Sequence, residues 1–177
     1  MVLRRTLGPL ALTSLVVVLL SPLSPVRLAS AGAEEGAAPA GRTLVLQVRG
    51  TVDRKTGTPP EHFVYEIDVF DNNGQKLGTV THDIVFTSPS TADLVSTFHL
   101  KDGELSNKSV EAIGPDASRQ GYYLIGVHAD RDTVQPDKSK GAYAGKTGRL
   151  RMSGWHDANK FPGTVTFSDF YEITFNS

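Results

Sequence analysis

Polar and apolar residues alternate with a period of two through most of the chain from residue 43 onward. Successive side chains of a β-strand point to opposite faces, so this alternation predicts strands with one buried face. Apolar residues do not recur at the three- and four-residue spacing of a helix, and glycine or proline interrupts the pattern frequently. The pattern therefore predicts an all-β fold with almost no helix.

About eight alternating segments can be distinguished, separated by turn sequences. The strongest turn is Asp71-Asn72-Asn73-Gly74, because asparagine and glycine accept the positive φ of tight hairpins. The segments cover residues 44–50, 63–69, 77–87, 94–100, 104–113, 122–128, 149–154 and 165–175. Eight strands can close into a barrel that holds one small ligand, so we predict an eight-stranded antiparallel β-barrel. A β-sandwich for adhesion or recognition, with the same number of strands, is the alternative.

Two of the segments have a weaker or less usual pattern than the others. Segment 104–113 is the weakest, and we expect Leu105, Val110 and Ile113 to hold it in place. Segment 122–128 is apolar on both faces, which is typical of a central strand.

Residues 141–154 form a glycine-rich stretch, GAYAGKTGRLRMSG, that leads directly into the seventh segment. Gly145, Lys146 and Thr147 match the end of a phosphate-binding loop. However, only three residues separate Gly141 from Gly145 where that motif needs four, and strand alternation follows instead of a helix. We therefore interpret the stretch as the bend that closes the barrel.

The N-terminal residues 1–31 have the features of a secretory signal peptide. Arg4 and Arg5 precede an apolar run of 14 residues, and residues 29–31, Ala-Ser-Ala, provide a small-x-small cleavage site. A membrane anchor needs about 20 apolar residues, so cleavage is favoured over anchoring. We expect a secreted, extracellular protein with no stable membrane insertion after cleavage.

The rest of the chain divides into a spacer and one domain. Residues 32–42 are small and polar and predict a disordered spacer, and residues 43–177 form the barrel domain. Cleavage after residue 31 removes three arginines and no acidic residue, so the formal net charge falls from −1 to −4. A mildly acidic chain without a basic cluster is unsuited to nucleic acid. There is no cysteine, which excludes disulfides and thiolate chemistry, and we predict no cofactor.

Four polar side chains share the phase of apolar residues on their strands, namely His82, His128, His156 and Asp169. A buried imidazole or carboxylate costs several kcal/mol unless it is paired, so each needs a partner or a function. An aspartate and a histidine inside an apolar barrel would form a general acid/base pair. The alternative places these residues at barrel rims, at hydrogen-bonded core positions or on a subunit interface. Three histidines converging on a metal ion are not expected, and no metal site is predicted.

The carboxylates Glu66, Asp68, Glu111 and Glu172 occupy the opposite phase from most apolar residues. A period of two separates the faces of a strand but does not say which face lies inside. If the apolar face met solvent or another subunit, these four carboxylates would point into the barrel. Both arrangements remain open at this point.

Three features together suggest a family: the glycine-rich stretch 141–154, the long final segment that follows it, and residues 96–105, with the pattern F-x-L-x-D/N-G-x-L. In these features the chain resembles the allene oxide cyclase and dirigent barrel superfamily. The similarity extends over residues 61–176. The resemblance implies an eight-stranded antiparallel barrel, often trimeric, with a largely apolar cavity. Members of the family cyclise a reactive lipid epoxide or steer the coupling of phenoxy radicals, and no catalytic residue of theirs is carried over.

The combined expectation is a secreted barrel that binds a small hydrophobic molecule and acts as an isomerase or cyclase, or as a dirigent-like coupling guide. A non-catalytic exported binding or structural module is the alternative. We expect Asp169 and His128 to be the acid and base. The residues expected to contact the ligand are aromatic: Tyr65, Tyr122, Phe167 and Tyr171.

Overall fold

The eight strands of this protein follow one another around a closed antiparallel barrel in the order of the sequence. The computed structural model describes residues 41–129 and 131–176. The predicted all-β barrel is thereby confirmed, and the sandwich alternative is wrong. The strands are β1 (Thr43–Asp53), β2 (His62–Phe70), β3 (Lys76–Ser88), β4 (Thr91–Leu100), β5 (Gly103–Pro115), β6 (Tyr122–His128), β7 (Gly148–Lys160) and β8 (Thr164–Phe175).

The helical content of the described residues is one 3-10 turn, Gly141–Tyr143. No helix in this part of the chain has the length and hydropathy needed to cross a membrane. The predicted signal peptide, residues 1–31, and the predicted spacer up to residue 40 lie outside the described residues.

The barrel closes because the first and last strands pair along their whole length. The β1–β8 ladder runs without a shift from Thr43 opposite Thr174 to Asp53 opposite Thr164. Strand β8 also pairs with β7 over most of its length. The final strand is therefore hydrogen-bonded on both edges, and the side chains of its inward face point into the barrel.

The segment between β6 and the glycine-rich stretch completes the barrel wall between β5 and β7. β5 pairs with β6 only from Ala112 to Pro115. Nearer its N-terminal end, β5 bonds instead to the segment between β6 and the glycine-rich stretch. There the Gln135 amide donates to the Ser106 carbonyl at 2.9 Å. Gly141 follows with a φ of +62°, and a Cβ there would lie 2.5 Å from the Asp102 carbonyl oxygen. The predicted closing bend thus needs glycine at this point.

The inward face of each strand carries the apolar phase of the alternation, with few exceptions. On β7 and β8 the predicted phases are confirmed. The inward residues of β8 are Val165, Phe167, Asp169, Tyr171, Ile173 and Phe175, all of them buried. The apolar core therefore lies inside the barrel, and polar side chains of the same phase are buried with it.

The prediction for β5 is wrong in one respect. Val110 was expected to hold the strand in place, but it is 57% exposed on the outer face. Leu105 and Val110 are five residues apart, so a period of two puts them on opposite faces. Leu105 points inward, and Glu111 shares its phase.

Candidate functional site

A cavity of about 290 Å³ occupies one end of the barrel. It lies at the end that carries the β3–β4 and β7–β8 turns, because Pro89 and Phe161 line it. Most of the lining is apolar or aromatic, and the polar groups are few. A cavity of this size is close to the lower limit of small-molecule sites, which begin at about 300 Å³.

Aromatic rings form the wall of the cavity on the β2, β3 and β8 sides. The Phe63 ring packs edge-on against Phe86 with centroids 5.7 Å apart, and it lies 4.7 Å from the Phe161 ring. The Tyr65 ring meets Phe167 edge-on at 5.3 Å. The Tyr65 hydroxyl donates to the Pro162 carbonyl at 3.4 Å, so this phenol is tied to the β7–β8 turn. Phe161 is partly exposed at the opening.

Two ionisable side chains reach the cavity from the strands opposite, Glu111 on β5 and His156 on β7. Glu111 is 3% exposed, and its carboxyl belongs to the cavity lining. Burial raises the pKa of Glu111 to about 7, with His156 lowering it and Asp169 raising it by smaller amounts. At neutral pH this carboxyl therefore exists in both protonation states.

Asp169 holds His156 in place from the neighbouring strand. The His156 Nε2 atom lies 3.1 Å from Asp169 Oδ2, and the Phe167 ring packs edge-on against the imidazole at 4.4 Å. Burial lowers the pKa of His156, but the charge and hydrogen bond of Asp169 and the charge of Glu111 outweigh it, so the pKa lies above its usual value. Burial likewise raises the pKa of Asp169 against the opposing effect of His156.

The close approach of Asp169 to β7 depends on the residue opposite it, Gly154. A Cβ at Gly154 would lie 2.5 Å from the Ser168 carbonyl oxygen and closer still to Asp169 Oδ1. That carboxylate oxygen is buried and has no hydrogen-bond partner among the described residues. Glycine at this position therefore makes room for the carboxylate that orients His156.

A second buried imidazole lies deeper in the barrel and does not line the cavity. His82 Nδ1 is 3.1 Å from Ser96 Oγ, and its Nε2 is 3.1 Å from the Tyr171 hydroxyl. Burial, and to a smaller extent the charge of His156, lowers the pKa of His82 to about 3. His82 is thus a neutral, fully partnered core residue.

The structure brings three of the six predicted site residues to the cavity or directly beside it. Tyr65 and Phe167 line it, and Asp169 lies behind His156. Tyr171 is fully buried but bonds to His82 in the deeper core. The position of Tyr171 therefore does not support the predicted contact with a ligand in the cavity.

The other two predicted site residues lie on the outer surface. The His128 side chain is exposed, so the structure does not bring it together with Asp169. The Tyr122 ring packs outside against Trp155, at 5.6 Å, under the Arg119 guanidinium. On β6 the inward face carries Ile125 and the residues two positions away from it. The sequence did not show which face points inward, because β6 is apolar on both faces.

The sequence grouped Glu111 with three other carboxylates and left its direction open, and the structure decides it. Among the four carboxylates of the opposite phase, Glu111 points into the barrel, whereas Glu66 and Asp68 lie outside and pair with Lys55 and Lys76. The signal was present, because Glu111 is an even number of residues from the inward-facing Leu105.

The three histidines considered as a metal site, His82, His128 and His156, do not converge. His82 and His156 lie inside the barrel and His128 outside it, and no cluster suited to a metal ion occurs among the described residues.

Comparison of the chain with models of known protein families gives no match, and comparison with curated proteins gives none either. A functional proposal therefore has to come from the cavity itself.

Proposed function

We propose that this protein binds a small, largely apolar molecule inside its barrel and holds a polar group of that molecule against Glu111 and His156. The observation that carries the proposal is the aromatic-walled cavity of about 290 Å³ with the side chain of Glu111, 3% exposed, in its lining. The signal peptide predicted over residues 1–31 would deliver the protein outside the cell. The family resemblance adds the proposal of a homo-oligomer, as a trimer.

The energetics of the cavity favour such a ligand. Apolar surface removed from water contributes about 25 cal/mol per Å², and the rings around Phe63 and Phe167 offer mainly this kind of surface. A hydrogen bond to a charged group contributes about 1.5–3 kcal/mol, so a ligand that bonds to the Glu111 carboxylate gains free energy. The apolar walls therefore supply affinity, and the carboxyl supplies orientation.

Proton-transfer catalysis of the isomerase or cyclase type is a second candidate function. It is favoured by the placement of two proton-binding groups at one cavity, since Glu111 titrates near neutral pH and Asp169 orients His156. A carboxyl with a pKa near the working pH can both donate and accept a proton during turnover. A non-catalytic binding module would use the same cavity without proton transfer.

Filling the mouth of the cavity should abolish binding. Ala158 lines the cavity near its opening and is not fully buried, so a tryptophan there would occupy ligand space without disturbing the deep core. We expect Ala158→Trp to weaken binding of the neutral fluorescent probe N-phenyl-1-naphthylamine by about tenfold or more. The measurement is a fluorescence titration of the purified protein.

The matched control is Val110→Trp, which adds the same side chain to the exposed outer face of β5. It should bind the probe as the unmodified protein does, and circular dichroism should show both variants folded. Equal binding by the two variants would disprove the cavity as the binding site, as would a lack of probe binding by the unmodified protein.

A further inference from the structure

The ionisable groups inside the barrel are carboxyls, imidazoles and phenols. No lysine or arginine is buried in the described part of the chain. A ligand carboxylate or phosphate entering the cavity would therefore find no permanent cation, and it would lie beside Glu111. Two like charges within a few ångströms in a poorly solvated site repel strongly.

The groups on the strands around Glu111 compensate its charge only in part. On β7 and β8, His156 Nε2 lies 3.1 Å from Asp169 Oδ2, and the charges of this pair cancel when the imidazole is protonated. On β3, His82 is kept neutral by burial. The phenol of Tyr65 on β2 is also neutral, because burial raises its pKa to about 12.

Two further phenols complete the surroundings. Burial raises the pKa of Tyr171 on β8 well above its usual value, so this residue stays neutral as well. Tyr123 on β6 also belongs to the cavity lining. Glu111 is thus the acid in the cavity lining, and the hydrogen bond of His156 goes to Asp169 instead.

We propose that the molecule bound in the barrel carries a protonated amine that pairs with Glu111, attached to an apolar body that fills the aromatic part of the cavity. This inference rests on the proposed binding function. An alcohol would satisfy the hydrogen-bonding capacity of Glu111 but not its charge, and a carboxylate would add a second negative charge. The ammonium group supplies both the donors and the missing positive charge.

The proton balance of this pairing is explicit. Free protein with a protonated Glu111 binds the ammonium ligand, forms the carboxylate–ammonium pair and releases one proton to the solvent. An aliphatic amine, like the lysine side chain, keeps its proton up to about pH 10. Binding should therefore become tighter as the pH rises through the range in which the free carboxyl ionises.

Three probes with one apolar body separate the possibilities: 1-naphthylmethylamine, 1-naphthalenemethanol and 1-naphthoate. Isothermal titration calorimetry at about pH 8 should give the order amine, alcohol, carboxylate, with the amine about tenfold or more tighter than the carboxylate. At about pH 5.5 the amine should bind about tenfold more weakly than at pH 8, because Glu111 is then protonated. Titrations in buffers of different ionisation enthalpy near pH 6 should show proton release.

The variant Glu111→Gln should reduce the affinity for the amine to that for the alcohol and remove its pH dependence. Glu61→Gln removes a carboxyl from the exposed surface and should keep the amine preference. The pH dependence and proton release of the unmodified protein test the inference even if the Glu111 variant does not fold.

The outcomes distinguish this inference from the proposed function. If the carboxylate or the alcohol binds at least as tightly as the amine, or if Glu111→Gln keeps the amine preference, the amine inference is wrong and the binding cavity stands. If none of the three probes binds, both are wrong.

Discussion

The buried carboxyl of Glu111 should make the barrel less stable as the pH rises towards neutrality. Burial raises its pKa from 4.5 to about 7. Between these two values the unfolded chain has already lost the proton, whereas the folded barrel still holds it. The folded state then binds more protons, so the free energy of unfolding falls with rising pH. The contribution of Glu111 is complete below about pH 4.5 and lost above about pH 7.

The loss of unfolding free energy follows from the difference between the two pKa values of Glu111. One pKa unit corresponds to 1.36 kcal/mol, so a shift of this width predicts a loss of about 3 kcal/mol. Other groups titrate nearby, and His82 acts in the opposite direction, because its pKa of about 3 makes acid destabilising. The contribution of Glu111 therefore has to be measured as a difference between two proteins.

The assay is urea unfolding, followed by circular dichroism from about pH 4 to pH 8.5, of the unmodified protein and Glu111→Gln. Glutamine keeps the shape of the side chain and cannot ionise. Relative to the unmodified protein, the variant should gain about 3 kcal/mol in unfolding free energy between the ends of the range. Glu61→Gln, an exposed control, should give a curve parallel to that of the unmodified protein. Parallel curves for Glu111→Gln as well would refute a raised pKa at this position.

Two further predictions concern the cavity chemistry and its support. Gly154→Ala should lower the unfolding free energy by about 1–3 kcal/mol, because the added methyl collides with Asp169 and the neighbouring backbone. Gly126→Ala, whose Cβ would meet only the Met152 carbonyl at 3.7 Å, should stay within about 1 kcal/mol in the same urea titrations. Equal losses in the two variants would contradict the packing argument. If the cavity supports proton transfer, the protein should accelerate ring opening of 5-nitrobenzisoxazole, with a midpoint near pH 7 that Glu111→Gln removes. A rate equal to that of the buffer would argue for binding without catalysis.

Much of the barrel could be predicted from local pattern. Alternation and turn residues gave the number of strands, because each strand is specified by its own side chains and by the turns at its ends. The inward phase of β8 was equally clear, since five of its six inward residues are apolar. Asp169 was identified as a candidate because it interrupts that series.

The placement of polar residues was harder to predict where a strand had no dominant face. β6 is apolar on both faces, and its sequence does not show that Ile125 points inward while His128 points outward. On β5, the apolar residues Leu105 and Val110 lie on opposite faces, so the sequence left the direction of Glu111 open. Choosing the inward face requires the neighbours of a strand, because burial is a property of the closed barrel.

The strand class, the turns and the phase of the strongly patterned strands follow from the amino-acid sequence, because they depend on residues close together in the chain. Which polar groups meet depends on the folded barrel. Glu111, His156 and Asp169 lie on three strands, and ring closure and strand register bring them together at one cavity. Register is set by pairing along whole strands, so the local pattern of no single strand contains it.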